Sequence, residues 1–344
     1  MEHNFSLKRL LAQLALFVGL IALTFFLLLR EQNLPELLAA LRGVRLRWLA
    51  LAAGCMCVFL LCEALNLRRC LRLFGCRCTV PQAVRYAMTG FFFSSVTPSA
   101  SGGQPMQLYA MHRDRIPASC GTLALLTQFS SFQTVTVAFA AMGFWAQSAQ
   151  LIRSPFRWLF ALGGGLNLAL LLLTLTAMFS RRLSHALIRA LCGLLRALRS
   201  KKAAVLEQQL NGQLALYRRN AAFLQKNPAT LLAVLAVTTV QIAAFYSIPY
   251  LVSRSLALPP CPFLTVFSLQ AVLFVSVSSL PLPGAVGASE GTFLLLFGAV
   301  FPAAALPDAM LLSRGVSFYL FVLLSGLLIA CCALRGQKKN SERG

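Results

Sequence analysis

The chain has 344 residues, of which 58% are hydrophobic and 12% charged, and it carries a formal charge of +22 at pH 7. Recurring apolar runs of about 20 residues exclude a soluble domain and predict a single all-α, polytopic membrane domain. The positive charge would suggest nucleic acid in a soluble protein. Here it follows from Lys and Arg gathering in cytoplasmic loops, so no nucleic-acid partner is expected.

The first apolar run, Leu10 to Leu29, follows Lys8 and Arg9 and lacks a small-residue cleavage site, so it reads as a retained span rather than a signal peptide. Span two runs from Trp48 to about Ala64 and closes on a basic loop with Arg68, Arg69 and Arg72. Glu63, beside that loop, reads as a side chain reaching toward it. A broken segment covers 86–112. Ile116-Pro117 then starts a helix to about Trp145, on which Gln128 and Gln133 read as hydrogen-bonding between helices. Another span runs from Trp158 to Phe179, with Gly163, Gly164 and Gly165 permitting close helix contact. Residues 1–179 thus form a first membrane repeat.

Residues 180–227 differ in kind. Arg182, Arg189 and Arg196 recur every seven residues beside a leucine stripe, which predicts an amphipathic linker helix with a basic face on the cytoplasmic membrane surface. The second repeat, 228–334, has a span from Pro228 to Val252, a broken segment over 263–301 and a last span from about Asp308 to Leu334. A basic tail, 335–344, follows. The eleven cysteines form no legible disulfide framework, and Cys70, Cys76 and Cys78 read as ordinary thiols, so neither a metal nor another cofactor is expected.

The two broken segments share a grammar. Ser94 to Pro105 (SSVTPSASGGQP) and Ser278 to Gly291 (SSLPLPGAVGASEG) each place a serine pair, prolines and glycines where a helix must break. Non-helical backbone at membrane depth survives only when buried in protein or lining a polar cavity. Two such breaks in corresponding halves point to a binding site at the interface of inverted repeats. A helix beginning inside the membrane presents free N–H groups to an anion. Ser101, Gly102, Gly103 and Gln104 are therefore candidate headgroup-binding residues, as are Pro283, Gly284 and Gly287. Pro98, Pro105 and Pro281 are the breaks, with Pro105 suited to the first helical position. On this reading Gly103→Leu stops lipid movement without unfolding the protein. The competing reading of the glycines is tight helix packing.

Glu290 and Arg314 are the charges expected within the bilayer in the second half. Such residues face a cavity or each other, so they are candidates for an ion pair or for proton coupling. With a cytoplasmic N-terminus and both broken segments returning to the side they entered from, inner loops hold 23 of the 31 Lys and Arg and outer loops seven. That bias places both termini in the cytoplasm. It also sends the two broken segments in from opposite leaflets.

PSASGGQP (Pro98 to Pro105) with Gln107, Tyr109, Met111 and Ile116-Pro117, then PLPGAVGASEG (Pro281 to Gly291) and Ser313-Arg314, resemble the lysylphosphatidylglycerol synthase transmembrane, or flippase-like, domain family. The resemblance runs from about Leu10 to Leu334. It implies an all-helical domain with inverted repeats and re-entrant helices, which moves aminoacylated or other anionic-headgroup phospholipids in the cell membrane and belongs to cationic-peptide resistance. In the multiple peptide resistance factors this domain precedes a cytosolic aminoacyl-tRNA-dependent transferase, a part this chain is expected to lack. Where many relatives carry an acidic residue and an arginine on the helix after the first motif, this sequence has Gln128 and Phe129.

Two functions stay open from sequence. The first is a translocator of a phospholipid with an anionic or aminoacylated headgroup. The second is a non-transporting scaffold or accessory subunit of a separate lipid synthase. Enzymatic chemistry comes third, since no catalytic triad, metal-ligand helix or P-loop is present.

Overall fold

The computed structural model describes residues 43–147, 156–179 and 226–341. The predicted first span (Leu10 to Leu29), the linker helix up to residue 225 and the end of the tail lie outside the described residues. Within them the chain is helical: α1 (Leu46–Leu73), α2 (Val80–Val96), α3 (Gly103–Arg113), α4 (Ala118–Ala146), α5 (Arg157–Phe179), α6 (Pro228–Tyr246), α7 (Ile248–Ser255), α8 (Phe263–Ser278), α9 (Ala288–Phe297), α10 (Leu306–Arg314) and α11 (Leu320–Ser341).

Local chemistry sets these boundaries. Gly75, at φ 77°, ends α1 and lets the Cys76 N–H return to the Leu71 carbonyl at 2.9 Å. Thr79 and Gln82 then form a reciprocal capping box that starts α2. Pro117 and Pro262 stand immediately before α4 and α8, and Pro228 opens α6. Between α10 and α11 one π-helical turn, Gly315–Tyr319, widens the helix. Among the described residues, five segments are long and apolar enough to cross a bilayer: Leu46–Leu73, Ala118–Ala146, Arg157–Thr176, Pro228–Ser255 and Ala303–Cys332.

Burial runs in the sense a lipid solvent demands. Exposed positions include Leu61, Leu65, Leu172, Leu232, Leu264 and Leu323, while Asn66, Thr136, Thr238, Gln241 and Asn167 are buried. Interior polar groups tie helices together where apolar burial offers no advantage over lipid. Asn66 Nδ2 donates to the Val234 carbonyl at 3.2 Å and to Thr238 Oγ1 at 3.0 Å, and Ser131 Oγ donates to Thr238 Oγ1 at 2.7 Å, joining α1, α6 and α4. Of the glycine triplet only Gly163 is needed for close contact: a Cβ there would stand 2.5 Å from the Val275 carbonyl oxygen of α8, whereas nothing lies within 4 Å of one at Gly165.

The two broken segments are helical hairpins, α2–α3 and α8–α9. The first has its base at the C-terminal end of α1, where Arg85 and Tyr86 of α2 hydrogen-bond Asp114 just beyond α3, and Tyr86 packs with Leu67, Leu71 and Cys78. The second has its base at the N-terminal end of α1, where Ala52 and Met56 pack with Val266, Phe297 and Phe301. The hairpins therefore enter from opposite ends of the bundle. Their tips meet: Ser99 Oγ donates to the Leu280 carbonyl at 3.5 Å, and Val96 of one packs with Val286 of the other.

Each tip is a 3₁₀ turn beginning with proline, Pro98–Ala100 and Pro283–Ala285. The backbones match residue by residue. Thr97 and Leu282 are extended at φ/ψ −113°/144° and −113°/135°, and Ser99 and Gly284 are left-handed at 49°/30° and 57°/15°. Ala100 and Ala285 follow at φ 55° and 50°.

Several boundaries differ from the sequence reading. Helix α1 runs on to Leu73, so Arg68, Arg69 and Arg72 are helical rather than loop residues, because Arg69 Nη1 donates to the Ala233 carbonyl and Arg68 Nε to the Cys78 carbonyl. The first broken segment starts at Val80, directly after its Thr79 cap, and not at Tyr86. Pro105 is the third residue of α3 rather than the first. Any position in a first turn tolerates proline, because none of the first four N–H groups has an intrahelical acceptor. The span from Pro228 breaks at Ser247, one residue before Ile248-Pro249.

Candidate functional site

Between the hairpins and helices α1, α4, α5, α6 and α8 lies a cavity of about 620 Å³. That is within the range of roughly 300–1,000 Å³ typical of small-molecule sites. Phe59 and Glu63 of α1 stand on its wall, and Phe59 is about 20 Å from either end of α1 at 1.5 Å per residue. The cavity is thus at mid-depth of the bundle. Its lining is mixed: phenylalanines from α1, α2, α4, α6, α8 and α9 alternate with six glutamines, Asn167 and a set of serines.

Glu290 and Arg314 form an ion pair, Arg314 Nε donating to Glu290 Oε1 at 2.7 Å. Glu290, 1% exposed, lies in the first turn of α9 and also accepts from the Gly287 N–H at 2.7 Å and from the Tyr319 hydroxyl at 3.0 Å. The π turn explains this convergence. In an α-helix residues five apart diverge, but the i to i+5 repeat brings Arg314 and Tyr319 to one side, where both reach the same carboxylate oxygen. Arg314 further donates through Nη2 to the Gly284 carbonyl at 3.1 Å and stacks over Phe318 at 4.2 Å. Gly284 is fixed by two constraints, its positive φ and the Phe318 ring, which a Cβ would meet at 2.2 Å.

The remaining sequence candidates divide. Gln104 and Gly284 are on the cavity wall, as are Ser99, Ala100 and Ser289; Ser101, Gly102, Gly103 and Gly287 are not. Gly102 and Gly103 let α3 close on α2: a Cβ on Gly103 would stand 1.9 Å from Ser94 Oγ and 2.8 Å from the Gly90 carbonyl. The Gly102 N–H is taken by Thr97 Oγ1 at 2.8 Å, and the Gly287 N–H by Glu290, so side chains of the chain itself occupy these donors at both inner helix ends. Gly287, at φ 84°, directs the chain into α9. Pro283 is buried behind the tip, Pro98 opens its counterpart, and Pro105 and Pro281 are exposed.

Glu63 is the residue that sequence reading placed elsewhere. It lines the cavity and does not reach for the basic loop; Gln107 Nε2 donates to its Oε1 at 2.9 Å, and Gln128 lies beside it. Gln128 and Gln133 likewise line the cavity, and Gln128 Oε1 has no hydrogen-bond partner among the described residues. Asn167 joins two elements of the wall, donating to the Val275 carbonyl, Ser278 Oγ and Ser279 Oγ at 3.1 Å each. Gly90 makes room for Gln107, since a Cβ there would stand 2.2 Å from its Nε2. Gly90→Ala is therefore expected to displace Gln107 from Glu63 and cost about 1–3 kcal/mol, the range for a buried group losing its partner. In a Gln107→Ala background the same change should cost measurably less, read by thermal unfolding of the detergent-purified variants.

Fold and cavity together define a multi-pass helical membrane protein whose two helical hairpins meet on a chamber of mixed lining at mid-depth of the bundle. The chain belongs to the family described as Lysylphosphatidylglycerol synthase TM region, whose model matches residues 10–325. No curated protein matches it.

Proposed function

We propose that this protein moves a phospholipid with an anionic or aminoacylated headgroup between leaflets, the headgroup passing through the cavity while the acyl chains stay in lipid. The observation that carries this reading is the meeting of two hairpins from opposite ends of the bundle on one chamber containing an arginine. Arg314 is the phosphate-binding group. Nε donates to Glu290 and Nη2 to the Gly284 carbonyl, and a guanidinium has five N–H donors, so it can also donate to a phosphate oxygen. The matched tip backbones support an inverted repeat, in which rocking of one half against the other would open the chamber to each leaflet in turn. On this reading the basic end of the bundle around Arg68, Arg69, Arg72 and Arg85 is cytoplasmic and concentrates anionic lipid.

The test is reconstitution of the purified protein in liposomes carrying leaflet-reporter phospholipids. Protein-containing vesicles should equilibrate the reporter at least about tenfold faster than empty ones. Gln104→Trp, which fills the chamber from its wall, should remove that acceleration while leaving the melting temperature within a few degrees. Equal rates in loaded and empty vesicles would overturn the proposal.

A further inference from the structure

Glu63 and Arg314 are the ionisable side chains on the cavity wall among the described residues. Arg314 is balanced by Glu290, whereas Glu63 meets neutral amides, Gln107 and Gln128, and no cation among the described residues. A carboxylate at this depth without a cationic partner is costly and marks a functional path. A second observation comes from the same cavity wall. Two amide oxygens on the same wall, Gln128 Oε1 and Gln241 Oε1, are buried without a hydrogen-bond partner among the described residues, and Gln241 is 2% exposed. Buried acceptors left unpaired are rare and call for a donor. Phe59, one helical turn before Glu63, adds a ring face to the wall, and a ring face attracts cations.

We infer that Glu63 is the headgroup-selecting residue of the cavity: its carboxylate, oriented by Gln107, takes an organic ammonium, so that the preferred guest carries an ammonium beside its phosphate. This rests on the proposed function and adds what that reading leaves open, the chemical class that is favoured and the residue that favours it. A purely anionic headgroup would reach Arg314 but would face the uncompensated charge of Glu63.

Glu63→Gln is a clean probe. It keeps the shape and can still accept from Gln107, and a neutral amide is cheaper to bury than a carboxylate, so the variant should fold. Two readouts are compared. The first is the shift in melting temperature of detergent-purified protein on adding short-chain phosphatidylethanolamine, phosphatidylcholine or phosphatidylglycerol, which does not depend on transport. The second is leaflet exchange of the corresponding reporters in liposomes.

Wild type should bind and move an ammonium lipid about 10- to 100-fold better than phosphatidylglycerol, the range for a charged hydrogen bond. Glu63→Gln should abolish that preference and Glu63→Asp should keep part of it. The ethanolamine and choline arms separate recognition by the acceptor oxygens from recognition by ring faces. Headgroup preference in binding without any exchange would sink the transport reading and leave Glu63 standing. An unchanged preference in Glu63→Gln, or none in wild type, would overturn the assignment. Should Glu63→Gln misfold, Gly90→Ala, which only displaces Gln107, must weaken the preference on the same two readouts or the inference fails.

Discussion

Glu290→Leu is expected to destabilise the protein by about 3–5 kcal/mol, the cost of removing one partner from a buried ion pair. The substitution leaves the Arg314 guanidinium, 14% exposed, without its carboxylate, and it removes the acceptor of the Gly287 N–H and of the Tyr319 hydroxyl at once. Arg314→Leu should cost a similar amount, because Glu290 is then a buried carboxylate without a cation. Replacing both together should cost clearly less than the two single effects combined, since neither charge is then stranded. Thermal unfolding of the four proteins in detergent reads the coupling. Additive losses would mean that the pair contributes nothing jointly. Arg314→Lys should fold better than Arg314→Leu yet still fall short of wild type, because an ammonium cannot reproduce the two-directional reach to Glu290 and Gly284.

The second large effect is expected at Gly103. Leucine there cannot be accommodated by a side-chain rotation alone, because the new Cβ would approach the Gly90 backbone oxygen as well as Ser94 Oγ. The α2–α3 hairpin must open, at a cost of about 3 kcal/mol, the upper part of the usual range for overpacking. Gly165→Leu supplies the contrast, since a Cβ at that position meets nothing within 4 Å, and its melting temperature should stay within a few degrees of wild type. Gly103 is thus a packing residue, and the sequence-based expectation that leucine would block lipid movement in an intact fold does not survive the geometry. A hairpin variant that melts like wild type would restore it.

How legible the site was depended on helix length. Reading span two as ending at Ala64 put Glu63 at a membrane edge, where a carboxylate beside arginines needs no special account. Because Arg68 and Arg69 find carbonyl acceptors on neighbouring segments, α1 continues to Leu73 and the same residue moves to mid-depth. An isolated acid within an otherwise apolar run was the available signal, and the nearby arginines masked it. Gln107 and Asn167 carried no such signal, since a single amide in a membrane helix reads as interhelical glue until its neighbours are known. Conversely, the glycines of the first motif were conspicuous in sequence yet serve the hairpin rather than the chamber.

The sequence by itself determined the membrane class, the helical fold and both places where helices break, and it singled out two intramembrane charges without deciding between a pair and proton coupling, because apolar run length, proline, glycine and intramembrane charge are constraints on a chain in any arrangement. Only the tertiary structure decided that the tips meet, that a π turn aims Arg314 and Tyr319 at one carboxylate, and that Glu63 faces a shared chamber. Those facts depend on which helix faces which across the bundle, and that follows from the packing of residues distant in sequence.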